Sequence, residues 1–235
     1  MTSSKQIFEA YGGITAAVVL VSGGVDSTTL LHAVKKAGVG EILALSFVYG
    51  QRHARELDMA RWQARALGVV RHEVVDLSFF GGMTGGRTAL SMAGPAVPDL
   101  DELTDAQRRQ PPTYVPHRNL LFLSIAAAAA EGAGMQDVFY GAQAQDEYGY
   151  WDCTPEFVVG LNGVLGLNRD RAVRIHAPFV TLPKSEVVKI GLALGVDYTH
   201  TWTCYRGAEA PCGRCPSCVE RAAAFRAAGT RDPLG

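Results

Sequence analysis

The sequence of 235 residues has no excess of either charge, few prolines and no long run of apolar residues. Its 22 Lys and Arg and 23 Asp and Glu leave a formal net charge of −1, which supplies no general field to hold a polyanion such as DNA. With 11 prolines, 26 glycines and 48% hydrophobic residues, the composition excludes a disordered or collagen-like chain. We therefore expect one large globular domain, or one domain with a small appendage, and no stable nucleic-acid partner.

The sequence also lacks any segment that would direct the chain into or across a membrane. The longest apolar stretches, residues 16–21 and 120–130, are shorter than the about 18 residues that indicate a membrane-spanning helix. Residues 1–14 contain no apolar core followed by a small-residue cleavage site, so no secretory signal is predicted. We therefore expect a cytoplasmic protein with no membrane partner, whose 5 cysteines are not paired as disulfides. The clustered cysteines are expected to hold a metal or do chemistry.

Short apolar strands alternate with helices along most of the chain. Residues 16–21, 41–48 and 71–77 have the composition of buried strands, and residues 26–37 and 52–67 have helical spacing. The same alternation resumes later in the chain, with helices and strands predicted at 117–131, 137–140, 155–165, 172–175 and 184–194. This order predicts a doubly wound, mainly parallel α/β sheet, with its ligand site beyond the carboxyl ends of the strands.

Two segments do not follow this alternation. Residues 78–112 combine Gly-Gly pairs and prolines with little periodicity, which predicts an irregular insert of the kind that serves as a lid or binding loop. Residues 199–235 hold all but one of the cysteines and end in a helix predicted at 216–228. We therefore predict an α/β domain at residues 1–198 and a small metal-binding appendage at residues 199–235.

A glycine-rich segment connects the first predicted strand to the first predicted helix. Free backbone N–H groups at the start of a helix bind anions, and glycines let that backbone approach a phosphate closely. Ser22 and Ser27 add hydroxyl donors, and Asp26 either caps the helix or faces a nucleotide-bound Mg²⁺. The segment lacks the Lys of a Walker A loop and the G-x-G-x-x-G of a dinucleotide-binding turn. It predicts a phosphate site of another type, and the plain alternative is an ordinary glycine-rich turn.

A second motif consists of Cys204, Cys212, Cys215 and Cys218, which place four thiolates within a short segment. Four soft ligands that close a tetrahedron suit a structural Zn²⁺ and leave no open position for a catalytic water. An iron–sulfur cluster uses the same type of ligand, so it is the second reading of this motif. Cys153 lies outside the motif, and we interpret it as a buried or pocket-lining thiol because the sequence shows no electropositive setting around it.

The segment Ser-Gly-Gly-Val-Asp-Ser at residues 22–27 is similar to the S-G-G-x-D-S signature of the PP-loop ATP pyrophosphatases. Further motifs are Y-x-Q-R-H at residues 49–53, T-Y-V-P-x-R-N at 113–119, G-Y-x-D-C at 149–153 and the four cysteines. With them the chain resembles the 7-cyano-7-deazaguanine synthase family of the queuosine pathway over nearly its whole length. The resemblance implies an adenine nucleotide alpha hydrolase-like PP-loop fold, with nucleotide binding at residues 1–198 and a Cys₄ zinc-binding region at the C-terminus.

Members of that family are ATP-dependent C–N ligases. They adenylate 7-carboxy-7-deazaguanine, let ammonia displace AMP to give the amide, and use a second ATP to convert the amide into 7-cyano-7-deazaguanine. The activation is needed because oxide is a poor leaving group, whereas AMP carries the oxygen away at neutral pH. The resemblance therefore implies ATP, ammonia and a deazaguanine carboxylate as substrates, Mg²⁺ and structural Zn²⁺ as cofactors, AMP and pyrophosphate as products, and a homodimer.

The resemblance also implies roles for individual residues. The residues that hold ATP are Ser22, Gly23, Gly24, Val25, Asp26, Ser27 and Thr28. Asp26 also faces Mg²⁺. The residues implied to be catalytic are Asp26, Arg118 and Lys184. Arg118 and Lys184 neutralise the charge of the phosphates or of the adenylate. The substrate-binding residues are Gln51, Arg52, His53, Asp146, Tyr150 and Asp152. The plainer alternatives are a solvated charge for Lys184, turn-forming roles for the two aspartates and a core aromatic for Tyr150.

Six positions near the predicted substrate pocket depart from the pattern of the family: His117, Gln143, Glu147, Tyr148, Trp151 and Thr154. His117 stands where the family has Gly. For this reason we keep the alternative of a related conjugase, which transfers a deazaguanine acyl group to another amine, including a protein amine. A third reading is a non-enzymatic Zn-ribbon module that binds RNA or protein. That reading predicts basic and aromatic residues around the cysteines, of which residues 204–218 offer few.

Overall fold

The computed structural model describes residues 9–52, 55–84, 88–92 and 94–235. Strands in this part of the chain are β1 (Ala16–Leu20), β2 (Glu41–Val48), β3 (Arg71–Asp76), β4 (Asp137–Phe139) and β5 (Arg174–His176). They form one sheet in the order β3-β2-β1-β4-β5, and every neighbouring pair is parallel. The chain runs outward from β1 to β3 and returns on the other side of β1 with β4. This reversal leaves a crevice between β1 and β4 at the carboxyl ends of the strands.

Helices cover both faces of this sheet. They are α1 (Val25–Lys36), α2 (Arg55–Ala66), α3 (Ser78–Met83), α4 (Asp105–Arg109), α5 (Arg118–Gly132), α6 (Pro155–Leu165), α7 (Lys184–Ala193) and α8 (Pro216–Ala227). Leu30 of α1 and Ile190 of α7 pack on one face, and Leu123 of α5 and Leu161 of α6 pack on the other. The predicted doubly wound α/β architecture is confirmed. No described helix has both the length and the apolar character needed to cross a membrane.

The central strand β1 is apolar along its length because helices cover both of its faces. Ala17, Val18 and Val19 have no exposed surface. Val18 packs with the cluster beneath α5, whereas Val19 packs with the cluster beneath α1, since successive side chains of a strand point to opposite faces. Continuous burial of this kind produces the unbroken apolar run that identifies the strand in the sequence.

The insert at residues 78–112 is less irregular than its sequence predicts. It contains α3 and α4, and a capping box fixes the start of α4. One side of the insert contacts the C-terminal region, where the Leu100 N–H donates to the Arg214 carbonyl at 3.1 Å. The guanidinium of Arg206 donates to Asp99 Oδ1 at 2.6 Å. These bonds tie the insert to the cysteine-containing segment, and its role as a lid stays a prediction.

Residues 199–235 pack directly against the α/β core. The Trp202 N–H donates to the Gly23 carbonyl at 2.9 Å, in the loop that follows β1. Val188 of α7 and Phe225 of α8 lie in one buried apolar cluster. The C-terminal region is therefore continuous with the wall of the fold beside the glycine-rich loop.

Candidate active site

A cavity of about 250 Å³ lies at the carboxyl ends of β1, β2 and β4. Its wall combines the loop after β1, the starts of α2, α5 and α7, and the turn after β4. The C-terminal region completes the wall with Trp202, Thr203, Tyr205, Ser217 and Glu220. Segments that are distant in sequence meet here because the carboxyl ends of parallel strands share one edge of the sheet.

The loop between β1 and α1 is held in shape by its own hydrogen bonds and by α2. The Ser22 N–H donates to the Ser27 hydroxyl at 3.1 Å, and the two hydroxyl oxygens lie 2.9 Å apart. Gly23 has a φ of +86°, and a Cβ at this position would lie 2.1 Å from the Glu56 carbonyl oxygen. A side chain here would therefore displace α2. The predicted ATP residues that line the cavity are Ser22, Gly24, Val25, Asp26 and Ser27. Two others are buried beside it: Gly23 and Thr28.

The Lys184 side chain carries a buried positive charge and lies beside Asp26, close to this loop. Its Nζ is 3.2 Å from Asp26 Oδ2 and 2.9 Å from Glu220 Oε2, and its side chain is 7% exposed. Burial by itself lowers the pKa of Lys184, but the carboxylates of Asp26, Glu220 and Asp146 outweigh it and hold this pKa above its ordinary value. Lys184 therefore stays protonated at neutral pH.

Asp146 lies beside this cluster and is joined to it through Gln143. The Gln143 N–H donates to Asp146 Oδ2 at 3.2 Å, and Gln143 Nε2 donates to Asp146 Oδ1 at 3.1 Å. The same Nε2 donates to Glu220 Oε1 at 3.3 Å. Burial raises the pKa of Asp146 to about 7, although Lys184 opposes the shift. Asp146 therefore titrates near neutral pH inside the cavity.

A second group of polar side chains approaches the cavity from the end of β2 and the starts of α2 and α5. The guanidinium carbon of Arg118 lies 6.0 Å from the ring centre of Tyr49. Glu56 also lines the cavity, and burial raises its pKa to about 8 although Arg118 opposes the shift. Within the described residues, the Glu56 carboxylate has no hydrogen-bond or ion-pair partner. Glu56 is thus a carboxyl group that is free to contact whatever enters the cavity.

Of the residues that precede α6, Tyr150 and Cys153 line the cavity, whereas Asp152 contacts the start of α5. Tyr150 lines the cavity, and its hydroxyl lies 2.7 Å from that of Thr113. Asp152 lies outside the lining and accepts hydrogen bonds from the Asn119 N–H at 3.0 Å and from Asn119 Nδ2 at 3.3 Å. Cys153 lines the cavity, where burial raises its pKa well above the ordinary value. It is therefore a neutral thiol and a poor nucleophile.

Of the three residues predicted as substrate ligands after β2, the two that the structure describes occupy different places. Gln51 lines the cavity, but its side-chain oxygen accepts from the Tyr49 N–H at 2.7 Å and its Nε2 donates to a β2 carbonyl at 3.0 Å. Arg52 points toward the insert, where its guanidinium donates to the Ala89 carbonyl at 2.8 Å. His53 lies outside the described residues. Of the two described residues, Gln51 thus lies on the cavity wall and Arg52 does not.

Comparison with known proteins identifies the family. The profile of the family described as Queuosine biosynthesis protein QueC matches residues 16–229. The chain belongs to this QueC family. A protein named 7-cyano-7-deazaguanine synthase from Kineococcus radiotolerans is 48% identical over 227 residues, which cover 93% of this chain and 96% of that protein. One of the same name from Chromohalobacter salexigens is 47% identical over 220 residues, which cover 94% and 85% of the two chains.

Solved structures with low sequence identity share the fold of this QueC-family chain. NMN synthetase from Francisella tularensis has a TM-score of 0.51 at 16% identity, with 97% of this chain and 87% of that chain covered. The U34-tRNA thiolase NcsA from Methanococcus maripaludis, solved with its 4Fe-4S cluster, has a TM-score of 0.53 at 15% identity. The match covers 83% of this chain and 64% of the thiolase. The predicted adenine nucleotide alpha hydrolase-like fold is confirmed.

Several of the positions predicted to depart from the family pattern lie near the starts of two helices. His117 is the N-cap residue of α5 and has a φ of +55°, a left-handed conformation that glycine adopts without strain. The ring centres of His117 and Trp151 lie 5.5 Å apart, and Trp151 Nε1 donates to the Tyr114 hydroxyl at 2.9 Å. Thr154 caps α6 by accepting a backbone N–H of its first turn at 3.1 Å. The side chains of two further departures lie outside the described part of the chain: Glu147 and Tyr148.

The four cysteines of the C-terminal region meet at one point. Their sulfur atoms all lie within 4.8 Å of one another. Four thiolates around one ion, with metal–sulfur bonds of about 2.3 Å, place their sulfurs about 3.8 Å apart. An iron–sulfur cluster distributes its thiolates over several iron atoms and needs wider spacing. The sulfur positions therefore fit a single ion such as Zn²⁺ better than a cluster.

Sequence reasoning missed two carboxylates of this QueC-family cavity. Glu56 lies in the first turn of α2, directly after the carboxyl end of β2 and a short loop, so the position of ligand sites in parallel sheets points to it. Glu220 lies two residues after Cys218, in a segment that suggests only metal binding. No local pattern indicates Glu220, because its place in the cavity depends on the packing of α8 against α7.

Proposed function

We propose that this chain is an ATP-dependent 7-cyano-7-deazaguanine synthase, a C–N ligase that converts 7-carboxy-7-deazaguanine into the nitrile with ammonia. Relatives with that name are 47% and 48% identical over most of the chain. The observation that carries the proposal is one cavity that joins the S-G-G-x-D-S loop and Lys184 to an aromatic and carboxylate-lined part. One part is suited to phosphates, and the other to a flat, hydrogen-bonding base.

The phosphates of ATP fit the loop between β1 and α1. Backbone N–H groups at the start of α1 and the hydroxyls of Ser22 and Ser27 bind the outer two phosphates. Lys184 and Arg118 neutralise the charge on the AMP group that is transferred. Asp26 Oδ1 is buried and has no partner among the described residues. Carboxylate oxygen is the ligand type that Mg²⁺ prefers, so Asp26 would hold a nucleotide-bound Mg²⁺ there.

The reaction requires two activations by ATP. A carboxylate oxygen of the substrate attacks the α-phosphorus, and pyrophosphate leaves. Ammonia then attacks the acyl carbon, AMP leaves with the oxygen, and a proton is released. The amide oxygen attacks the α-phosphorus of a second ATP, and pyrophosphate leaves. Loss of AMP with the oxygen, and of both protons of the amide nitrogen, then leaves the nitrile. Each turnover therefore needs a group in the cavity that accepts protons.

We assign proton acceptance to Glu56. Asp26 and Glu220 both pair with Lys184, and Asp146 accepts hydrogen bonds from Gln143. Glu56 is the cavity carboxylate left without such a partner within the described residues. Its pKa of about 8, raised by burial, suits proton exchange near neutral pH.

The deazaguanine ring fits the part of the cavity beside Tyr150. The Tyr150 ring provides a stacking surface, and the Asp146 carboxylate provides an acceptor for the ring N–H and exocyclic amine. Asp152 acts indirectly, because it orients Asn119, which lines the cavity. Arg52 fixes the insert through its bonds to backbone carbonyls, and Gln51 fixes the end of β2. A contact from His53 stays a prediction.

We also propose Zn²⁺ in the four-cysteine site and a homodimer in the cytoplasm. An exposed apolar groove lies between α5 and α6, and Val164 in it is 64% exposed. Exposed apolar surface of this kind is typical of contacts between protein chains. Light scattering after gel filtration should give twice the chain mass of 25.1 kDa, and a monomer mass would contradict the dimer.

The other two readings of the sequence gain no support. No observation favours a conjugase, since the relatives compared above, at 47% and 48% identity, carry the name of the synthase. The Zn-ribbon module is disfavoured because Trp202, Tyr205 and Glu220 line the same cavity as the loop after β1, which gives the C-terminal region a place in the site.

The direct test is incubation with Mg-ATP, ammonium and 7-carboxy-7-deazaguanine. We expect AMP and pyrophosphate, with a product whose mass is that of the nitrile. Omission of ammonium should leave an adenylated acid and no amide. Release of ADP and inorganic phosphate, or no dependence on the acid, would contradict the proposed function.

A further inference from the structure

One helix carries both metal-ligand cysteines and a cavity residue. Cys215 is the N-cap of α8, and Cys218 and Glu220 follow within its first two turns. Glu220 lines the cavity, although the cysteines face the metal site. Because two turns of α-helix move as one body, the position of the cysteines determines that of Glu220.

Glu220 makes directed contacts with two side chains of the cavity. Its Oε2 lies 2.9 Å from Lys184 Nζ, and its Oε1 accepts a hydrogen bond from Gln143 Nε2 at 3.3 Å. Lys184 is the more buried member of the ion pair, at 7% exposure against 34% for Glu220. A lysine ammonium sits on a flexible four-carbon stem, so the carboxylates of Glu220 and Asp26 determine where it lies.

The body of α8 is anchored to the segment that supports the phosphate loop. Arg221 forms a buried ion pair with Asp232 at 2.7 Å, and its Nη1 donates to the Thr201 hydroxyl at 2.9 Å. The next residue, Trp202, donates its N–H to the Gly23 carbonyl. The cysteines, α8 and the loop after β1 are thus connected by short, directional contacts.

We propose that Glu220 is a positioning residue for Lys184, and that it couples metal occupancy of the four-cysteine site to nucleotide binding. The inference rests on the proposed function in one respect, namely that ATP binds at the loop after β1. When the cysteines hold their metal, Glu220 and Asp26 fix the ammonium of Lys184 between them, beside the phosphate site. When they do not, the first turn of α8 is released and Lys184 keeps Asp26 as its remaining close partner.

Coupling between two binding sites is reciprocal. If an occupied metal site tightens nucleotide binding by some factor, bound nucleotide must tighten metal binding by the same factor. This reciprocity provides a measurement that does not depend on catalysis. It also assigns the cysteine site a role beyond holding the C-terminal region together.

The test measures the affinity of the protein for zinc in competition with a chromophoric chelator. It is done with and without α,β-methylene-ATP, which is not cleaved between its α and β phosphates. In the wild-type protein we expect the nucleotide to increase zinc affinity about fivefold or more. In Glu220→Ala the ratio should fall toward one, and Glu220→Gln, which keeps a polar contact without the charge, should lie between. Because each ratio is taken within one variant, a direct effect of the substitution on zinc affinity cancels.

Glu186→Gln is the matched control. Glu186 lies on α7, where it pairs with Lys189 at 2.7 Å on the surface. This variant loses the same charge and should keep the wild-type ratio. Calorimetry on the zinc-loaded proteins should show that Glu220→Ala weakens nucleotide binding by the factor by which the ratio of zinc affinities has fallen.

The outcomes separate this inference from the proposed function. If the wild-type protein binds α,β-methylene-ATP but its zinc affinity does not change, the coupling is wrong and the proposed function stands. If Glu220→Ala keeps the full ratio, Glu220 does not carry the coupling, so the proposed role of Glu220 is wrong and the proposed function again stands. If the wild-type protein does not bind the nucleotide, the assignment of the loop fails and the coupling fails with it.

Discussion

The carboxyl group of Glu56 lies against the cavity and near Arg118 and Tyr49. Its pKa is about 8, above the ordinary value of 4.5, because burial disfavours the charged form more than Arg118 favours it. A carboxyl group whose pKa is raised in the folded state contributes stability that is fully present below the unfolded pKa. That contribution is lost as the pH rises from about 4.5 through about 8.

Glu56→Gln should therefore become more stable relative to the wild-type protein as the pH rises. Glutamine stays neutral, so the ligand-free variant does not lose the stability that ionisation of Glu56 removes. We expect similar melting temperatures at pH 5 and a growing advantage for the variant up to pH 8, measured by calorimetry. Glu156→Gln, which changes an exposed carboxylate, is the control and should follow the wild-type curve. Parallel curves for Glu56→Gln and wild type would contradict the pKa assigned to Glu56.

The backbone conformation of His117 leads to a second prediction about a single residue. Its left-handed backbone conformation costs an ordinary residue about 1–2 kcal/mol. Glycine removes that strain but makes the unfolded chain more flexible by about 0.4–1 kcal/mol. His117→Gly should therefore leave the free energy of unfolding unchanged or raise it by about 1 kcal/mol, whereas His117→Val should lower it. Urea denaturation measures both, and a marked loss of stability in His117→Gly would show that the imidazole contacts outweigh the strain.

At the level of the helices and strands, the close approach of α2 to the loop after β1 can be tested by comparing two glycines, Gly23 and Gly38. Gly23 and Gly38 both have positive φ, +86° and +96°. A Cβ at Gly23 would lie 2.1 Å from a backbone oxygen of α2, whereas a Cβ at Gly38 would meet nothing within 4 Å. Gly23→Ala should therefore destabilise the fold and weaken binding of α,β-methylene-ATP at least tenfold. Gly38→Ala should lower stability by about 1 kcal/mol through its backbone alone and leave nucleotide binding intact.

Equal effects of the two substitutions, measured by denaturation and calorimetry, would contradict this account. They would show that positive φ, rather than the contact between the loop and α2, accounts for the requirement for Gly23. A selective loss in Gly23→Ala would support a loop shape that depends on α2.

The sequence predicts most elements within a few residues of their ends. Strand β2 is found at the predicted residues 41–48 and α6 at 155–165, because a buried parallel strand and a capped helix each leave a strong local pattern. The short helices α3 and α4 were not predicted, since neither is long enough to show a helical period. The positions of Asp26 and Lys184 at one site follow from the order of the strands. Their pairing with Glu220 does not, because that contact depends on tertiary packing.

At the scale of the whole molecule, the cysteine site joins three parts of the chain. Cys204, Cys215 and Cys218 lie in one apolar cluster with Val97 of the insert, and Met59 of α2 packs against them. Loss of the proposed Zn²⁺ should therefore loosen the insert and α2 together with the C-terminal region.

Cys215→Ser should lower both the zinc content and the melting temperature. We expect a fall of about 5 °C or more, given that about 1 kcal/mol shifts the melting temperature of a domain this size by about 2–4 °C. Cys153→Ala is the control, because Cys153 lies in the cavity and should leave the zinc content unchanged. A metal-free Cys215→Ser protein with the wild-type melting temperature would show that the cysteine site does not support the fold.

Transfer of the AMP group to the substrate acid can be tested by following oxygen from that acid. 7-Carboxy-7-deazaguanine labelled with ¹⁸O in its carboxylate is incubated with Mg-ATP, ammonium and the protein, and the nucleotides are analysed by mass spectrometry. Adenylation in this cavity predicts that AMP carries one labelled oxygen and that pyrophosphate carries none. Unlabelled AMP, or label in inorganic phosphate with release of ADP, would contradict transfer of the AMP group to the acid.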